Sequence, residues 1–386
     1  MSNLPIIEAA KDELTAIFKD LHQHPEIGFT EHRTAGVVAE KLKDYGVDEV
    51  HTGIAGTGVV GIIKGNEGSR RVGLRADMDA LPIDELTNLN YSSKTPGVMH
   101  ACGHDGHTTM LLGAAKHLAE TREFTGTAVL IFQPAEEGLG GARGMLADGL
   151  FERFPCDEIY GMHNTPNGKP GTVGICKGPA MAGASFFDIT IQGKGSHAAM
   201  PHQSRDPLVI ASDLVSSIQT ILSRNVAPLE TCVLSVTQIH SGSAYNIVPD
   251  TAKLAGTIRY FKQEVFDLAD HRMRELCSGF ATAYGVEITL DNRNTFDVLI
   301  NDEKLSEAYL EAAEDIVGKE NISGTQEPAT GSEDFADMLN VVPGAYCRIG
   351  HSGTTGLHNP SFFLDPNVLP VGASVMARIV ERRLSA

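Results

Sequence analysis

No stretch of this sequence stays apolar for the ~20 residues that a bilayer-spanning helix requires, so no membrane span is expected. Met1 to Lys11 lacks a basic segment leading into an apolar core, and no secretory signal is expected either. Positive charge is scarce: 31 Lys and Arg stand against 49 Asp and Glu, a formal net charge of −18. That balance argues against nucleic acid or an anionic membrane as partner, since both need a basic face. The six cysteines (Cys102, Cys156, Cys176, Cys232, Cys277 and Cys347) have no framework spacing. They read as reduced thiols of a cytoplasmic protein. Internal repeats and low-complexity stretches are missing. So are Gly-x-Ser-x-Gly and His-Glu-x-x-His, which counts against a serine hydrolase and excludes the single-zinc helical proteases. Gly56-Thr-Gly58-Val-Val-Gly61 has the glycine spacing of a dinucleotide loop, but it leads into a strand instead of following one and opening a helix.

What is present suits a globular protein: 42% hydrophobic and 21% charged residues over 386 positions. That length exceeds a single core, so two domains are expected. Ile7 to Leu21, Thr34 to Leu42 and His107 to Leu118 have helical spacing. Val59 to Ile63, Val72 to Ala76 and Thr127 to Phe132 read as short buried strands. The alternation predicts an α/β layer with a mixed, largely parallel sheet. From Ser185 the pattern changes to strand (Phe186 to Gln192), helix (Asp206 to Ser223, capped by Asp206 with Pro207 in its first turn), two strands (Thr231 to His240, Ala252 to Phe261), helix (Glu264 to Tyr284) and strand (Val286 to Leu290). This β-α-β-β-α-β order is the ferredoxin-like unit. Helical patterns return at Lys304 to Val317 and Val368 to Leu384, with a strand at Ala345 to Ile349. The expected organisation is a discontinuous α/β domain, 1–183 and 296–386, with an α+β domain, 184–295, inserted in it.

Four clusters carry chemistry. Arg75-Ala-Asp77-Met-Asp79 follows a buried strand, where α/β sheets place ligands; the bland alternative is an Asp-stabilised turn. His100-Ala-Cys102-Gly-His104-Asp105-Gly-His107 is too dense in thiol and imidazole to be an incidental loop and suits a zinc-like ion, although His100 and His107 are open to a structural role. Gln133-Pro-Ala-Glu136-Glu137 also follows a strand. A metal hydrolase needs one carboxylate to hold metal and another to take a proton from water, and adjacent glutamates supply both; alone, such a pair is usually a solvated turn. His163 and His358 are single histidines, given weight by their places near strand ends. Together the clusters supply Cys102, His104, Glu137, His163 and His358, enough for three contacts to each of two ions if one ligand bridges.

At these residues the sequence resembles the aminoacylase, carboxypeptidase and hippurate-hydrolase family of co-catalytic metallopeptidases. It is most similar to the branch of hippurate hydrolases, N-acyl-amino-acid amidohydrolases and plant auxin-conjugate hydrolases. The likeness runs from His24-Pro-Glu-Ile-Gly-Phe to Leu357-His-Asn-Pro. It implies two divalent ions (zinc, manganese, nickel or cobalt), Glu136 as general base, and Glu137, His104, His163 and His358 as ligands. Cys102 stands in place of a bridging carboxylate. Asp79 matches the acid of the family's His-x-Asp motif, whose ligand histidine is replaced here by Asp77, either a partner behind the ligands or an occasional ligand. The inserted domain matches the family's lid and dimerisation domain, where His197 polarises the substrate carbonyl and Asn246 and Arg259 are candidate substrate contacts. The expected function is amide hydrolysis of N-acyl amino acids or small peptides by a cytoplasmic homodimer. A dipeptidase or aminopeptidase on the same scaffold and a non-catalytic metal-binding protein are the alternatives. The presence of Glu136 with every proposed ligand speaks against the second.

Overall fold

The computed structural model describes residues 2–385. These divide into two compact units, one of the residues up to 180, 300–328 and those from 334 onward, the other of 181–299 and 329–333. No helix among the described residues is long and apolar enough to cross a membrane.

The larger unit is built on eight strands: β1 (Glu49–Ile54), β2 (Gly58–Lys64), β3 (Asn66–Asp77), β4 (Thr125–Gln133), β5 (Glu158–Thr165), β6 (Val173–Gly174), β7 (Ile322–Ser323) and β8 (Gly344–Gly350). They lie in the order β1-β2-β4-β3-β5-β8-β6-β7. The run β4-β3-β5-β8 is parallel throughout, and the β1, β2 and β6 junctions bring antiparallel pairs. Central strands are buried on both faces, which is why β2, β4 and β5 read as nearly continuous apolar runs instead of alternating. One face, with Val72, Leu74 and Ala76 of β3, packs under the helices Lys11–Gln23, His104–Thr121 and Leu369–Arg383 through Leu14, Phe18, Leu111, Leu118, Val375 and Ile379.

The smaller unit has a four-stranded antiparallel sheet in the order Cys232–Ser241, Thr251–Tyr260, Gly183–Gln192, Glu287–Phe296. With helices Pro207–Arg224 and Gln263–Tyr284 between strands, this is the ferredoxin-like arrangement. Phe187, Ile189 and Ile191 alternate toward a core shared with Ile210, Leu214, Ile218 and Met273 of the helices. Asp206 caps its helix as the sequence predicts, its side chain accepting from the Leu208 and Val209 N–H groups.

Candidate metal centre

Strands β3, β4 and β5 end side by side, Asp77 lying in register with Gln133. Each end carries chemistry-bearing side chains: Asp77 as the last residue of β3 and Asp79 just past it, Glu136 and Glu137 after β4, His163 near the end of β5. A fourth contribution arrives at the start of the His104–Thr121 helix. There Gly103 has φ +86°, and a Cβ would sit 2.4 Å from Asn164 Nδ2, so only glycine fits between Cys102 and His104. His358 completes the group from a left-handed residue (φ 58°) whose N–H donates to the Ala101 carbonyl at 2.8 Å.

All five sequence-proposed ligands are brought together. The donor atoms of Cys102, His104 and His163 lie within 4.8 Å of one another, and so do those of Cys102, Glu137 and His358. Cys102 is common to both triads. Its Sγ is 3.4 Å from His163 Nε2, and His358 Nε2 is 3.2 Å from Glu137 Oε1. Glu136 joins His104 and Glu137 in a further group of the same kind. Burial pushes the Cys102 thiol up and the His163 imidazole well down, so both are held neutral unless a cation compensates. Burial opposes charge on His104 too, but Asp77, Cys102 and the hydrogen bond to Asp79 raise it well above its usual value. Hydrogen bonds to Cys102 and Glu137 raise His358 to about 10.

Behind the triads stands a buried layer of hydrogen bonds. Asp79 Oδ1 is 3.1 Å from His104 Nδ1, and its Oδ2 accepts the Glu137 N–H at 3.0 Å, so one carboxylate orients two candidate ligands. His163 Nδ1 donates to the Asn164 carbonyl at 2.6 Å, turning Nε2 toward Cys102. His107 is saturated: Nδ1 meets Asp77 Oδ1 at 2.6 Å, and Nε2 accepts from the Asn164 N–H at 2.9 Å. Asp77 is occupied as well, its other oxygen taking Arg75 Nη1 at 2.7 Å. Asp77 and His107 therefore brace the cluster. Four bracing residues were given no role from the sequence. Arg75, fully buried, also donates to Gln133 and Asp334. Asn164 Nδ2 holds the Cys102 carbonyl at 2.6 Å. Asp334 accepts the Ala142 N–H at 2.9 Å, and Glu31 accepts the Ala135 N–H at 2.8 Å. Their partners lie as far as 192 and 104 positions away, beyond the reach of any local pattern.

In the smaller unit, Ser196–His197 pairs with Ile247–Val248, and the Ala198 N–H donates to the Asn246 carbonyl at 3.0 Å, so His197 and Asn246 are neighbours. His197 Nδ1 accepts the Ala199 N–H at 3.1 Å, which leaves the ring proton of the neutral form on the exposed Nε2. Arg259 lies on the Thr251–Tyr260 strand, 5.1 Å over the Phe186 ring, with Nη1 donating to Thr257 Oγ1 at 2.8 Å.

Residues 73–382 match the Peptidase family M20/M25/M40. The chain belongs to this family. As a member of a peptidase family it is a hydrolase of amide bonds. It is 40% identical to a hippurate hydrolase of Campylobacter jejuni, with 100% of each chain covered. It is 38% identical to an N-acetylcysteine deacetylase of Bacillus subtilis over 94% of each chain. A solved Bacillus subtilis protein described as a dinuclear metal binding peptidase of the M20 family superposes with a TM-score of 0.85 at 34% identity, covering 98% of this chain and 99% of that one. The donors here fit such metal ions. Buried His104 Nε2 has no hydrogen-bond partner among the described residues, and a set of thiol, imidazole and carboxylate suits borderline divalent cations.

Proposed function

We propose that this M20-family chain is a binuclear metallo-amidohydrolase that cleaves N-acyl amino acids, hippurate-like or N-acetyl-amino-acid-like, or small peptides. The observation that carries this reading is the sharing of Cys102 between two donor triads with Glu136 alongside. The names of the hippurate hydrolase and N-acetylcysteine deacetylase relatives support the substrate class. Cys102, His104 and His163 would hold one ion, and Cys102, Glu137 and His358 the other. When bound, such ions act as Lewis acids that polarise a carbonyl and make water a stronger acid. Glu136 takes the proton of the attacking water and returns it to the leaving amine. Asp79 fixes the ring of His104 and the backbone of Glu137. His197 offers its Nε2–H to the developing oxyanion, with Asn246 beside it as a substrate contact. Arg259 receives the substrate carboxylate. The smaller unit serves as lid and dimerisation domain of a cytoplasmic homodimer.

The test is amine release from a panel of N-acyl amino acids and dipeptides. It is run before chelation, after it, and after reloading with zinc, manganese, nickel or cobalt. Chelation should abolish turnover and one or more metals should restore it, with about two ions bound per chain. Elemental analysis giving at most one ion after reloading in excess metal would sink the binuclear reading. No hydrolysis of any N-acyl amino acid with any metal would sink the substrate class.

A further inference from the structure

Glu31 occupies the N-cap position of the His32–Asp44 helix, but its side chain makes no cap hydrogen bond. That task falls to Glu26, whose carboxylate accepts the Arg33 N–H at 3.0 Å and the Thr34 N–H at 2.8 Å. The Glu31 side chain turns inward instead and is fully buried. Burying a carboxylate is costly unless hydrogen bonds compensate, and here two do. Thr57 Oγ1 donates at 2.5 Å and the Ala135 N–H at 2.8 Å.

Ala135 is an unusual residue to hold. It is a non-glycine with φ 54°, a left-handed conformation that L-residues adopt only under constraint. It immediately precedes Glu136. On the other side of Glu136, the Glu137 N–H is held by Asp79. The backbone of Glu136 is thus pinned at both ends by buried carboxylates from distant parts of the chain. Asp79 also touches His104, whereas Glu31 bonds to no candidate ligand side chain.

We infer that Glu31 is a positioning residue for the reaction, acting through the Ala135 N–H to hold the Glu136 carboxylate in place; this rests on Glu136 being the general base. Glu31→Met fills the space without an acceptor. It should lower kcat by ~10- to 100-fold, as small misplacements of a catalytic group do, while KM and metal content stay at wild-type values. Glu31→Gln keeps an oxygen for Ala135, and the Thr57 hydroxyl can rotate to accept from the new amide, so most of the activity should return. Glu31→Met combined with Glu136→Gln should be no slower than Glu136→Gln alone, because a residue acting through another adds nothing once that one is disabled.

Wild-type kcat in Glu31→Met, no rescue by Gln, or losses that multiply in the double variant would each overturn the inference. Full activity in Glu136→Gln would overturn the general base itself, and this inference with it. If Glu31→Met fails to fold, the same cycle is run on Thr57→Val, which removes the other anchor of the carboxylate. Non-multiplying losses there support the inference, and multiplying losses or an unchanged kcat overturn it.

Discussion

Replacing Cys102 by Ala removes the one donor that both triads share, so under the proposed ligand set its loss would touch two ion positions where loss of His163 or His358 would touch one. Cys102→Ala should therefore bind less metal than His163→Ala or His358→Ala, read by elemental analysis after dialysis against a weak chelator. Equal metal content in the three would remove the thiolate from its shared position. Glu136→Gln tests a different property. The amide is nearly isosteric but accepts no proton, so both ions should remain while turnover falls by ~10²- to 10⁴-fold. Wild-type turnover at saturating metal would move the base to another carboxylate. Cys102, Glu136 and His163 were legible in the sequence because each lies in a dense motif or at the end of an apolar run, whereas His358, in a loop, drew its weight from the resemblance carried by Leu357-His-Asn-Pro. Asn164, Asp334 and Glu31 were not, since each acts through a backbone group that only the folded register brings near. Whether His107 braced or bound metal was also undecidable locally. Its two filled hydrogen bonds come from β3 and β5.

Elements are tied together by buried charge as well as by apolar packing. His22, on the Lys11–Gln23 helix, lies 2.7 Å from Asp105 of the His104–Thr121 helix and 3.3 Å from Glu85. Burial alone would lower its pKa, but the two carboxylates outweigh that and raise it to about 9 from 6.5. A raised value means the stabilisation is complete below pH 6.5 and is lost as pH climbs through 9. The gap corresponds to roughly 3 kcal/mol. Urea unfolding from pH 6 to 9.5 should show wild-type stability falling by about that amount relative to His22→Gln. Parallel curves would show that the pair contributes nothing. Element boundaries were legible where apolar periodicity marks them and not elsewhere. The strand expected over Val286 to Leu290 runs on to Phe296, because Asp291 to Asn294 pair with Ser185–Asp188 through the backbone ladder and polar side chains, with no apolar residue to signal them. Strand β1 escaped notice for a related reason: five of its six residues are exposed or half-buried, so no apolar signal remained. The single helix expected from Ile7 to Leu21 is two, meeting at Ala10, although the apolar spacing passes through the break.

For the molecule as a whole, the net charge of −18 sets the background that any substrate meets. An N-acyl amino acid with a free carboxylate approaches against repulsion unless a cation is placed to receive it. Arg259 has the right attributes. It is half-buried, its guanidinium is stacked over Phe186 and tethered to Thr257, and no carboxylate pairs with it among the described residues. A planar donor fork held this way is suited to a bidentate carboxylate. Burial lowers its pKa, but an arginine stays charged throughout the working range, so recognition should be independent of pH near neutrality. Losing such a charge-assisted contact costs about 1.5 to 3 kcal/mol, or roughly ten- to a hundredfold in kcat/KM. Wild-type enzyme should therefore prefer an N-acyl amino acid to its methyl amide by about that factor. Arg259→Ala should erase most of the difference by slowing the free acid and leaving the amide nearly unchanged. Salt discriminates further, since a general repulsion is screened within a Debye length of about 8 Å at physiological ionic strength, whereas a partly buried pair is not. The free-acid preference of the wild type should thus persist in 0.5 M salt. If Arg259→Ala retained the preference, another group would hold the carboxylate, and the stacking on Phe186 would be a packing contact of the sheet.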